Sequence, residues 1–123
     1  MADNSAYVPS ALDGLNVRDR VYHMTLSGDG DTDNVPVGAR CVYITATVAS
    51  GEVAIAILPQ PNVMPGEHIY LNLVSVTGAG EVKVGYGFAG GTDAVGDNFS
   101  ANADYALVYS TGKTWLAVKE TTT

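Results

Sequence analysis

Along residues 41–58 apolar side chains recur at every second position. Val42, Ile44, Ala46 and Val48 alternate with Tyr43, Thr45 and Thr47, and Val53, Ile55 and Ile57 alternate with Ala54, Ala56 and Leu58. A period of two sends alternate side chains to opposite faces of a strand. Ala49-Ser50-Gly51 separates the two runs, and glycine enters a tight turn at positive φ without steric cost. The pattern predicts a β-hairpin. Its second strand is apolar on both faces, which predicts a covered, central position or a subunit contact.

The same period recurs on either side. Residues 17–27 read as a strand with Arg20, Tyr22, Met24 and Leu26 on one face. A polar loop, 28–34, follows it. Pro59 and Pro61 then break any strand, and Met64-Pro65-Gly66-Glu67 has proline and glycine where a type II turn takes them. Residues 68–77 and 81–88 alternate again around Gly78-Ala79-Gly80. In the latter, Gly85 and Gly87 leave one face nearly bare. Residues 89–103 read as a long loop with Val95 and Phe99 as apolar anchors, and 105–119 as a second hairpin around Ser110-Thr111-Gly112. No repeat of fixed period is present. The organisation expected is an N-terminal arm (1–16), one β domain (17–120) and a frayed tail (121–123). Short strands at this spacing predict an all-β fold: a compact antiparallel β-sandwich, jelly-roll or tulip-like barrel of about seven or eight strands.

Composition narrows the function. The chain has 123 residues, 46% of them hydrophobic and 15% charged, and a net charge of -7. An acidic surface repels phosphate backbones and anionic lipid, so neither nucleic acid nor a membrane is an expected partner. Cys41 is the single cysteine, which rules out an intramolecular disulfide. The first residues lack the basic and apolar regions of a signal peptide, and no apolar run approaches the ~20 residues of a spanning helix. Synthesis in a cytoplasm is expected.

The motifs that could carry chemistry are incomplete. Gly85-Tyr86-Gly87-Phe88-Ala89-Gly90 matches a dinucleotide fingerprint, but the sequence after it does not open a helix that could receive a pyrophosphate. Gly112-Lys113-Thr114 ends like a phosphate-binding loop whose first glycine would fall at Leu107. Asp29, Asp31 and Asp33 have the spacing of hard-cation ligands. An EF-hand would need glycine at Asn34 and glutamate at Arg40, which leaves an irregular calcium site or an acidic turn. Two histidines and one cysteine fall short of a zinc set without carboxylates. No nucleophile motif accompanies His23 or His68. The expectation is a protein that is not an enzyme and takes no cofactor, metal or small-molecule substrate. Trp115 and the tyrosines, spread over the strands, suit cross-strand packing or contact with a sugar or partner chain.

Three stretches carry a family resemblance: Pro36-Val37-Gly38-Ala39-Arg40-Cys41-Val42-Tyr43-Ile44, Val63-Met64-Pro65-Gly66-Glu67-His68-Ile69-Tyr70-Leu71, and Ala103-Asp104-Tyr105-Ala106-Leu107-Val108-Tyr109-Ser110-Thr111-Gly112-Lys113-Thr114-Trp115. They resemble small virion proteins of tailed bacteriophages, most nearly the capsid decoration or cement proteins. Similar segments occur in tail-fibre and receptor-binding domains. The resemblance implies a compact, usually trimeric β domain on the outer capsid, at junctions between hexamers of the major capsid protein. There it bridges neighbouring subunits against internal DNA pressure. The partners so implied are the major capsid protein and the chain itself, as a homotrimer. Tyr7, Val8, Leu12, Leu15 and Arg18 are the expected capsid contacts of the arm. Val53, Ala54, Ala56, Leu58, Gly85 and Gly87 are the expected trimer contacts. The alternative is a receptor-binding or carbohydrate-binding module of a phage tail or fibre. An enzyme of the small jelly-roll type would need clustered histidines and carboxylates.

Overall fold

A computed structural model describes residues 20–87 and 93–121. Nine strands run through them: β1 (Val21–Ser27), β2 (Thr32–Asn34), β3 (Cys41–Thr47), β4 (Val53–Ile57), β5 (His68–Thr77), β6 (Glu81–Tyr86), β7 (Asp93–Ala94), β8 (Tyr105–Ser110) and β9 (Trp115–Thr121). They form two sheets, ordered β1-β3-β5-β8-β9 and β2-β4-β6-β7. All-β architecture is therefore as expected. The short strands β2 and β7 fall in stretches that read as loops, and β9 includes Thr121, paired with Tyr105.

The connectivity departs from the expected antiparallel fold. Up to β6 the chain alternates between the sheets, and β1, β3 and β5 pair in parallel, as do β2, β4 and β6. Parallel neighbours need a crossover, and here a strand of the opposite sheet supplies it. Each odd–even pair is one rung of a short coil. Val21 stands beside Cys41, and Cys41 beside Tyr70, so the rungs differ in length and no fixed period could betray them. The corners are bonded too: Gly28 N–H donates to Thr47 O, Val48 N–H to Thr77 O, Val35 N–H to Ile57 O and Leu58 N–H to Gly85 O. Only the last three strands add on antiparallel: β7 on β6, β8 on β5 and β9 on β8.

The 41–58 hairpin is thus corrected. Its strands exist, and Gly51 turns the chain at φ 81, but β3 and β4 lie in different sheets. Alternation and a Ser-Gly turn specify a reversal; they do not say whether the chain returns beside itself or on the facing layer. The second hairpin, β8–β9, forms as expected. The turn at 64–67 does as well, with Gly66 at φ 78 and Glu67 N–H donating to Met64 O.

The sheets do not close into a barrel. They share one core, in which Ile44, Leu71, Leu73 and Phe99 are fully buried. Phe99 exchanges both backbone hydrogen bonds with Val82, which plants the loop after β7 in that core beside Val95. Side chains bridge both open seams. At one, the Tyr22 hydroxyl donates to Asp33 Oδ2 at 2.7 Å. At the other, Asp97 N–H donates to Glu120 Oε1 at 3.0 Å. Buried Asp104 accepts from Ser100 N–H and Ala101 N–H and so shapes the turn into β8.

Candidate interaction surfaces

The outer face of the five-stranded sheet is built by register. One row across it reads Val21, Cys41, Tyr70, Leu107, Lys119, and the next His23, Tyr43, Asn72, Tyr105, Thr121. Flanking rows hold Thr25, Thr45 and Ser75, and His68, Tyr109 and Leu116. Rings meet in three tilted pairs: His23–Tyr43 at 5.7 Å between centroids, His68–Tyr109 at 4.9 Å and Tyr70–Tyr105 at 5.8 Å. Asn72 Nδ2 donates to the Tyr70 hydroxyl at 3.3 Å. No aspartate or glutamate occupies these rows, although the chain carries 13 acidic residues. The face is broad, aromatic and nearly uncharged.

The outer face of the four-stranded sheet centres on β4. Ala54, Ala56 and Leu58 point into the protein's own core and are at most 2% exposed. These three expected trimer contacts are thus part of the core within one chain. Val53, Ile55 and Ile57 face outward and stay half-buried. The strand thus gives its alanines to the core and its isoleucines to the outside. Ile55 lies between Thr32 and Lys83, and Ile57 between Asn34 and Gly85, which Ala94 follows. Gly85 is buried and Gly87 half-buried at φ 119. The expected capsid contacts Tyr7, Val8, Leu12, Leu15 and Arg18 lie outside the described residues.

A third surface was not anticipated. Arg20 and Arg40 each stand just before a strand of the same sheet, and Arg40 N–H donates to Arg20 O at 2.7 Å. Parallel register brings them together at one end of the rungs. With Val37, Val63, Met64 and Glu67 they line a cleft of about 190 Å³. Arg40 pairs with Glu67 at 2.6 Å. Nothing in the sequence marks this cleft, because residues 20 and 40 become neighbours only once β1 and β3 are known to pair in parallel.

The three loop carboxylates go to separate donors: Asp29 accepts from Val53 N–H, Asp31 from Ser27 N–H and Asp33 from Tyr22. Among the described residues no group of three or more His, Cys, Asp or Glu is placed to hold a metal ion. Gly112-Lys113-Thr114 is the tip of the β8–β9 hairpin, where Thr111 N–H donates to Thr114 O. No helix among the described residues is long and apolar enough to cross a membrane. No protein family, curated protein or solved structure matches the chain.

Proposed function

We propose that this protein is a non-catalytic virion component that decorates the outside of a phage capsid and cements neighbouring major capsid proteins. In this reading it acts as a homotrimer in a sandwich-like arrangement of its two sheets. The observation that carries the reading is the carboxylate-free aromatic face of the five-stranded sheet. A chain of net charge -7 that keeps acids off one whole sheet face has a surface suited to wide contact with another protein. Tyrosines supply large contact area with a polar handle there. The half-buried Val53, Ile55 and Ile57 supply a second apolar surface, which we assign to a sister subunit.

The three aromatic pairs also favour a second reading, a glycan-binding module, because rings spaced along a sheet can stack against sugar faces. Labelled protein separates the two. Under the decoration reading it coats expanded empty heads and leaves host cell envelopes unstained. Staining of envelopes that Tyr43→Ala and Tyr105→Ala abolish, with bare heads left uncoated, would replace it with the glycan reading.

A further inference from the structure

Among the described residues five large apolar side chains are exposed: Val37, Val63, Val74, Leu116 and Val118. Three have local explanations. Val74 and Val118 fall where the register slips by one residue, between Leu73 and Ser75 and between Ala117 and Lys119. A bulged residue has no partner opposite and is pushed outward. Leu116 lies beside Tyr109 on the aromatic face. Val37 and Val63, 64% and 52% exposed, are left over, and both line the cleft that holds Arg20 and Arg40. These are the two described arginines in a chain with only six basic residues.

We infer that this cleft binds an acidic peptide segment of a partner protein, in which a carboxylate side chain is flanked by aliphatic residues. Charge complementarity selects the carboxylate. The planar guanidinium fork matches a carboxylate with two parallel hydrogen bonds, and among the described residues no carboxylate is paired with Arg20. The Glu67 partner of Arg40 is 38% exposed. That pair is weak in water, so it orients Arg40 while leaving part of its fork to an incoming acid. The two valines supply walls for the flanking aliphatic groups. At about 190 Å³ the space is below that of drug-sized ligand pockets and suits one or two side chains.

The walls are fixed before any ligand arrives. Ala39 N–H donates to Pro36 O and closes the turn that carries Val37. The opposite wall is a 3₁₀ turn, Pro61–Val63, with Met64 N–H bonded to Pro61 O. Buried Ser110 donates through Oγ to Pro61 O at 2.8 Å, and the Trp115 indole donates to Pro59 O at 2.8 Å. A braced site loses little freedom on binding. This inference is independent of the capsid reading, since the cleft lies apart from both sheet faces.

The test is a titration of the full isotope-labelled chain with acetyl-Val-Glu-Val-amide, followed by backbone amide chemical shifts. The expected result is perturbation confined to residue 20 and residues 36–40 and 61–67, with affinity about tenfold weaker for the Val-Gln-Val peptide. Arg20→Gln combined with Arg40→Gln, at exposed positions, should abolish the difference between the peptides. Equal binding of the two peptides by the wild-type chain would overturn the proposal. So would inorganic phosphate perturbing the same amides as strongly. Perturbation of those amides by protein concentration alone would assign the cleft to a second copy instead.

Discussion

Tyr22 of β1 and Asp33 of β2 join the two sheets across one open seam. The hydroxyl donates to Oδ2 at 2.7 Å, and that hydrogen bond, with lesser help from burial and the nearby negative charge, raises the tyrosine above its ordinary pKa. A raised pKa means that folding favours the protonated form. The bond contributes fully below the unfolded value of about 10 and is lost as pH rises through the folded one. Tyr22→Phe should therefore cost up to about 1 kcal/mol at neutral pH. In strongly alkaline solution, denaturant melts of the two proteins should converge; an equal gap at both pH values would sink this account of the seam. Gly78 makes a second residue-scale case. It sits at φ +97, and a Cβ there would lie 2.2 Å from Val48 O. Gly66 has φ +78 but open space. Gly78→Ala should cost about 2–4 kcal/mol and Gly66→Ala about 1 kcal/mol, read as shifts in denaturation midpoint. Equal losses would show that crowding by the β3–β4 corner is unimportant. At this scale the sequence was informative about which way side chains point: Met24, Leu26, Val42, Ile44, Val82 and Val84 all enter the core from the faces their alternation assigns. It was silent about Tyr22–Asp33, because seam partners depend on which sheet each residue joins.

Most strands were legible as strands, and apart from β8 and β9 their partners were not. β3, β4, β5, β6 and the β8–β9 hairpin could be placed from period and turn residues. Parallel pairing could not, since its hydrogen bonds link rungs of unequal length. Strand β4 shows what hung on that. Its composition announced two apolar faces, and the structure decides which one is inside. Ala54 is fully buried, whereas Ile55 is half-buried and outward. Ala54→Asp should abolish folding, because an unpaired charge in the core costs several kcal/mol. Ile55→Asp should keep a cooperative unfolding transition and lose self-association, followed by light scattering. An Ile55→Asp protein that stays assembled would remove β4 from the subunit contact.

Across the whole molecule, the proposed function rests on surfaces. The carboxylates of Asp29, Asp31 and Glu52 cap turns at one end of the rungs, while Arg20 and Arg40 gather at the other. Between the ends, one sheet face is aromatic and nearly uncharged, and the other centres on the half-buried, outward-facing Val53, Ile55 and Ile57. Failed motifs pointed away from catalysis, but the sequence could not assemble residues 23, 43, 70, 105 and 109 onto one face without the pairing of β1, β3, β5 and β8. It could not reveal the arginine cleft for the same reason. If these surfaces cement a shell, the protein's presence must show in the shell's mechanics. Phage heads assembled with and without it, then heated while DNA release is followed, give the most direct reading. Heads lacking the protein should release DNA at lower temperature, and purified protein added back should restore the resistance. Identical release curves with and without it would contradict the account.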